Sequence, residues 1–468
     1  MFNLIDLFLG IKRNNILNYI NKSDLKPNIL FILIDSLRGD YCYSESKSCS
    51  TPNLDSMINN GIYFNQAISS SDYTISGYGS IFTSLYPYNA GKKGVSYHKL
   101  FSKVPNYITH LKNSGYSTYA TMDSNFLKLG FSEYFENNDL GYDRTTTGLF
   151  EGLEEQIIEK IKSHKFKEPW FYFLHLDDLH LPIRLPEKFM NKKYSERYDF
   201  VVEKVDMFIG KILKEVDLDN TLVIFTADHG DYILSHDDGK KNSIITKIKT
   251  KLREKSSSST YDYLSSLKRN SQKKIRYATT TSSIAKRKIE TRTAKSRFLF
   301  DDLVHIPLLF FGFGIPKIGI VNQLVRSVDI FPTICELIEI PNIQKNIDGR
   351  SLTPILRGEQ IKEIPVYLEN TIFVTDQESP EPCIGIRTSK LKYFRSIEDP
   401  SKKVHLYELE NDPMEENNIA NFSPNLVIQM ENILIEIREK LDKKFQEPEL
   451  TDLEEKRIED ELKKLGYI

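Results

Sequence analysis

Four short stretches of this chain end on side chains that can bind a cation or attack an ester. Asp35 closes the apolar run Ile29–Ile34, and Asp228 and His229 follow another, Leu222–Thr226. Thr74 lies in a segment rich in Ser, Thr and Gly, and His180 follows Asp177 and Asp178 just past the run Trp170–Leu176. Two carboxylates and an imidazole suit a hard or borderline divalent cation. Such a cation beside Thr74 would lower the pKa of its hydroxyl and make it a nucleophile near neutral pH. His180 could then position an oxyanion or protonate a leaving oxygen. Each residue also has a plainer reading, since an isolated Asp at a strand end is commonly a turn or N-cap residue. The adjacent pair Asp228-His229 resists that reading, because buried polar neighbours must be paired or coordinate something. A second ion would need Asp177, His180 and His236, and their spacing favours a single site instead.

These residues work together only if one framework brings them to a common edge. Strands are expected at Ile29–Ile34, Ile62–Ala67, Tyr116–Thr121, Trp170–Leu176, Leu222–Thr226 and Val304–Gly312. Helices are expected at Thr51–Asn60, Val104–Ser114, Leu149–Phe166, Asp199–Val216 and Val328–Ile340, with Ser69–Gly79 as a loop feeding a further helix. This alternation argues an α/β fold with a mainly parallel sheet flanked by helices. In such sheets ligands bind beyond the carboxyl ends of the strands, where all four stretches end. Short strands at Val366–Leu368, Ile384–Arg387 and Lys392–Arg395 suggest a smaller antiparallel unit, followed from Ser423 by a charged helical tail.

At 468 residues, 40% hydrophobic and 27% charged, the composition is that of a globular protein with a large core. The net charge of −2 gives no global attraction to nucleic acid, and no specific nucleic-acid partner is expected. Residues 240–298 depart from that average, with eighteen Lys and Arg against three acidic residues. The segment carries +15 and leaves −17 on the rest. Its Ser/Thr-rich, apolar-poor composition reads as an inserted, partly disordered arm that could contact a polyanion or an anionic membrane. The four cysteines show no zinc spacing and read as free thiols. Residues 1–26 suit an amphipathic extension, and neither a signal peptide nor a membrane span is recognised. The expectation is a cytoplasmic protein, either free or peripheral to the membrane.

The ordered segments PNILFILIDSLRGD, TPNLDSMINNGIYFNQA, TSLYPYNAG, FTADHGDYILSHDDG, FDDLVHIPLLFFG, DGRSLTPILRGE and LYELENDPMEENNIA resemble the sulfatase family of the alkaline phosphatase superfamily. The resemblance runs from about residue 27 to the end. It implies a large catalytic α/β domain, 27–360, carrying the 240–298 insertion, and a small C-terminal subdomain with an antiparallel sheet and helical tail, 361–468. It further implies one divalent ion (Ca, Mg or Mn, with Zn as the alternative) on Asp35, Asp228 and His229, and a substrate-contacting His180.

Several positions depart from the family pattern. Ser36 stands where the family has a second metal aspartate. Thr74 stands where sulfatases carry the Cys or Ser oxidised to formylglycine, with Ser76 and Tyr78 replacing the proline and arginine of that motif. Asp123-Ser124-Asn125 stands near the place of the sulfate-gripping lysine and histidine. Threonine cannot become formylglycine, and it resembles the nucleophile of phosphodiesterases and phosphoethanolamine or phosphoglycerol transferases in the same superfamily. The favoured expectation is therefore a metal-dependent hydrolase or transferase that forms a covalent Thr74 intermediate on a phosphoester. The alternative is a sulfuric ester hydrolase acting on a glycan or aryl sulfate, and a third reading is a catalytically silent anion-binding member. Either enzyme implies an anionic ester substrate, glycan or lipid-linked, with Asn125, His236, Lys240 and Lys241 as further substrate-binding candidates.

Overall fold

The structure, a computed structural model, describes residues 26–90, 105–127, 131–163, 166–180, 183–232, 298–342, 346–370, 382–442 and 456. His236, Lys240, Lys241, nearly all of the 240–298 insertion and the 1–26 extension except its last residue lie outside the described residues.

Seven strands of the large sheet are β1 (Asn28–Ile34), β2 (Ile62–Ile68), β3 (Ser117–Asp123), β4 (Gly141–Tyr142), β5 (Trp170–Leu176), β6 (Thr221–Thr226) and β7 (His305–Ile306). With β8 (Leu308–Gly312) and β9 (Gly319–Arg326) they form nine strands in the order β4-β3-β5-β1-β6-β8-β2-β7, β9 pairing with β2. Five neighbours, from β4 through β6, run parallel, and β8 joins β6 antiparallel. Every residue of β1, β5 and β6 is buried, which is why these strands read as unbroken apolar runs rather than alternating ones.

The multi-turn helices are α1 (Pro52–Asn60), α2 (Thr74–Thr83), α3 (Tyr107–Asn113), α4 (Leu153–Lys162), α5 (Tyr194–Ile212), α6 (Ile330–Leu337) and α7 (Pro424–Asp442). Phe31 of β1 packs among Phe82 of α2, Phe173 of β5 and Phe331 of α6, so helices from different parts of the chain close over the central strand. No helix among the described residues is long and apolar enough to cross a membrane.

Three expectations change. The segment expected as a loop to Gly79 is helical from Thr74 onward, and α2 is buried at all ten positions, so tertiary packing overrides its poor helix propensity. Val304–Gly312 splits into the end of a short helix at Val304 and two strands, His305–Ile306 and Leu308–Gly312, separated at Pro307, which cannot donate to a ladder. Strand β9 went unexpected, since its first half is partly exposed and begins on Gly319, at φ +82°.

A second, antiparallel sheet follows the order β10 (Val366–Glu369), β11 (Cys383–Arg387), β12 (Leu391–Ser396) and β13 (His405–Glu408). Met430, Leu434 and Leu441 of α7 cover one face of it, while Leu299, Phe300 and Val304 pack with Val366, Leu368 and Phe394. The small sheet is thus joined to the large one through a continuous apolar contact.

Candidate active site

Strand β1 sits between β5 and β6 in register, and the Asp35 amide donates to Leu176 O at 2.8 Å, extending the ladder by one step. The chain then turns sharply at Ser36, whose φ of +63° is a left-handed conformation that costs energy for any residue with a Cβ. That turn has a use. Ser36 N–H donates to Asp228 Oδ1 at 3.2 Å and Ser36 Oγ donates to Asp35 Oδ1 at 2.7 Å. Ser36, the position where the family pattern has an aspartate, therefore acts as a donor to the two flanking carboxylates. Tyr198 of α5 secures the turn by donating to Ser36 O at 2.7 Å.

At the end of β6, Asp228 Oδ1 also accepts from His229 N–H at 2.8 Å. Asp228 Oδ2 is buried and has no hydrogen-bond donor among the described residues. His229 Nδ1 lies 2.6 Å from Gly230 O and must donate to it, so in the neutral ring Nε2 carries the free lone pair. One donor atom each from Asp35, Asp228 and His229 falls within 4.8 Å of the others, and all three residues are buried. An orphaned carboxylate oxygen, a second carboxylate and an imidazole aimed at one point fit a divalent cation.

Thr74 Oγ1 stands 3.1 Å from His229 Nε2 and 3.2 Å from Asp35 Oδ2. One hydroxyl proton thus faces two acceptors. Thr74 is also the first residue of α2, where unpaired amides and the helix dipole favour negative charge. Gly77, one turn on, lets the helix lie against Asp228: a Cβ there would stand 2.9 Å from Asp228 O. Direct backbone packing thus holds α2 against the end of β6.

The electrostatics follow from burial of several charges together. Burial would raise the Asp35 carboxyl, but His180, His175 and His229 outweigh it and hold the group well below the usual carboxylate range. Asp228 is pushed up to about 6, by burial first and by the charge of Asp35 second. Burial opposes protonation of His229, yet the Asp228 and Asp35 charges raise it. Neighbouring acids of unequal strength share one small volume, as catalytic sites require.

His180 sits in the turn after β5, 8% exposed, and its charge is the strongest attraction that Asp35 feels. Asp177 is turned aside, accepting from Tyr142 OH at 2.9 Å and pairing with Arg144 at 3.1 Å. Asp178 Oδ1 accepts from Leu149 N–H at 2.9 Å. Neither joins the donor cluster. Asn125 lies just past the carboxyl end of β3, where its amide donates to Asp123 Oδ1 at 3.0 Å.

Two residues at the site were not singled out from sequence. In sequence Ser36 marks only a departure from the family pattern. His175 lies within an apolar strand, where a lone histidine two residues before Asp177 is the only local signal.

Asp35, Asp228 and His229 could thus hold a divalent ion beside the Thr74 hydroxyl. Residues 27–340 match the family model described as Sulfatase, and residues 290–447 match N-sulphoglucosamine sulphohydrolase, C-terminal. The chain belongs to the sulfatase family.

Arylsulfatase K of Gallus gallus is 31% identical over 150 residues, covering 31% of this chain and 28% of the relative. N-acetylgalactosamine-6-sulfatase of Homo sapiens is 24% identical over 265 residues, covering 45% and 51% respectively. The chain thus spans about half or less of the length of these curated relatives. Among solved structures, a 2-O GAG sulfatase aligns with TM-score 0.62 at 16% identity, covering 89% of this chain and 93% of that one. The phosphonate monoester hydrolase of Agrobacterium radiobacter aligns with TM-score 0.58 at 16% identity, covering 89% and 96%. These structural likenesses concern the fold.

Proposed function

We propose that this enzyme hydrolyses sulfuric esters of an anionic glycan or an aryl alcohol, using one divalent ion on Asp35, Asp228 and His229 and the hydroxyl of Thr74 as nucleophile. The observation that carries the site reading is Thr74 Oγ1 at 3.1 and 3.2 Å from two of the three ligands. The sulfuric class is supported by family membership and by the names of the relatives, which are sulfatases.

With the ion on His229 Nε2, Asp35 Oδ2 is the acceptor placed to take the Thr74 proton. When bound, the ion supplies Lewis-acid polarisation of an ester oxygen and lowers the pKa of the threonine hydroxyl. Thr74 Oγ1 attacks the central atom of the ester, and the bond to the alcohol oxygen breaks. His180 gives that oxygen its proton. Water then attacks the group held on Thr74, and the threonine oxygen leaves. Two carboxylates favour a hard ion such as Ca, Mg or Mn, while the imidazole also admits Zn.

A phosphoester is the second reading, favoured by Thr74 itself. A single hydroxyl cannot release the bound group as an aldehyde hydrate does, so the intermediate must be cleaved by water, as a phosphothreonine would be. Steady-state rates on a matched aryl sulfate and aryl phosphodiester decide between the two classes. The faster ester names the class, and chelation should abolish both reactions. Thr74→Ala should lower kcat by at least about a thousandfold, with Thr74→Ser retaining part of it. An active Thr74→Ala enzyme would remove Thr74 from the mechanism.

A further inference from the structure

His175 lies on β5 opposite Leu33 of β1, one step before the end of each strand. It is fully buried, and neither ring nitrogen has a hydrogen-bond partner among the described residues. A buried imidazole has two polar atoms, and leaving both unmet is costly. Its ring is fixed by aromatic neighbours. Tyr78 and Phe126 stand edge-on at interplanar angles of 88° and 89°, and Phe173 lies within 12° of parallel. This slot directs Nε2 at Asp35 Oδ2, 3.8 Å away, about 1 Å beyond an ordinary hydrogen bond.

The needs of Asp35 make that direction meaningful. Its Oδ1 accepts from Ser36 Oγ, and its Oδ2 accepts from Thr74 Oγ1. The second donor is temporary, because Thr74 gives up its proton when it attacks. Once that proton has left the site, Oδ2 has no hydrogen-bond donor unless another replaces it. His175 stands outside the group of donor atoms that can share an ion, so it is placed to support a ligand rather than to be one.

We propose that His175 is a positioning residue: in the metal-loaded site its Nε2–H donates to Asp35 Oδ2, holding the carboxylate in its ligating orientation after Thr74 has lost its proton. The inference rests on the metal site proposed above. Partners of this kind that orient a ligand typically change metal affinity by about 10- to 100-fold when removed.

The test is titration calorimetry of manganese chloride into the full chain after chelation and dialysis. His175→Phe keeps the aromatic packing and removes the donor, and it should bind about 10- to 100-fold more weakly at an unchanged melting temperature. His175→Gln, which retains a donor near the Nε2 position, should recover a measurable part of that loss. Wild-type affinity in His175→Phe overturns the proposal. So does an equal weakening in both variants accompanied by equal losses of melting temperature, which assigns a packing role. If His175→Phe does not fold, Gln against Met gives the same division: tighter binding by Gln supports the donor, and equal affinity overturns it. Should wild type itself bind no manganese, the metal reading fails and takes this inference with it. Tight wild-type binding with an unaffected His175→Phe removes only the role of His175.

Discussion

Asp178 shows how costly the acidic edge of this sheet is to build. Its carboxyl is pushed up to about 7 from an ordinary 3.8, by burial first and by the charge of Asp177 second. One oxygen accepts from Leu149 N–H, while Oδ2 is buried with no hydrogen-bond partner among the described residues. The folded state therefore keeps this proton at pH values where the unfolded chain has lost it. Its contribution to stability is complete below the ordinary pKa and is lost as pH rises through about 7. Asp178→Asn keeps the acceptor for Leu149 and cannot ionise. Melting temperatures of the metal-free protein should show the variant gaining on wild type as pH goes from about 4 to 8. A difference that is flat or shrinks with pH contradicts this account. The same residues show what sequence could disclose. Asp35, Asp228 and His229 were legible because each follows a continuous apolar run. The donor roles of Ser36 and His175 were not, because they depend on a left-handed turn and on register between two strands far apart in sequence.

At the scale of elements, β10 of the small sheet reaches the segment that leads into Thr74. Glu369 N–H donates to Ser70 O at 3.1 Å, and Asn370 Nδ2 donates to Asp72 Oδ2 at 2.9 Å, two residues before Thr74. Asn370 Oδ1 in turn accepts from Cys383 N–H at 2.8 Å, so one buried amide ties β11 to the entry of α2. Asn370→Ala should destabilise the fold by about 1–3 kcal/mol through the buried partners it strands. It should also lower kcat more than it raises KM, because Thr74 loses alignment rather than binding surface. Urea denaturation and steady-state kinetics on one preparation check both, and a stability loss with unchanged kcat would confine Asn370 to a structural role. This link was invisible in the sequence. The parallel strands could be read from composition, and so could the short strands near the C-terminus. The docking of one unit on the other depends on single polar side chains with no local pattern. Likewise α2 looked like a loop, because only its complete burial makes a helix of Ser, Thr and Gly stable.

The whole molecule is divided by charge, with +15 on residues 240–298 and −17 elsewhere. The described flanks of that segment are firmly anchored. Gly230 N–H donates to Leu303 O at 2.7 Å, Leu299 is fully buried, and Asp301 is paired with Arg387 at 3.1 Å and with the buried Lys392 at 2.7 Å. The described residues on both sides of the segment are therefore tied to the body beside the candidate site. A sulfated glycan is a polyanion, and a basic segment joined next to the site would raise its local concentration through charge alone. Replacing residues 245–294 by a short Gly/Ser linker keeps His236, Lys240 and Lys241 while removing most of the positive charge. The variant should melt within about 0.5 kcal/mol of wild type in stability and turn over a small aryl ester at the wild-type rate. It should elute from immobilised heparin at distinctly lower salt, because the lost contacts are screened electrostatic ones. Unchanged heparin retention would rule out the polyanion role. A collapse in turnover of the small ester would instead place part of the segment within the catalytic site.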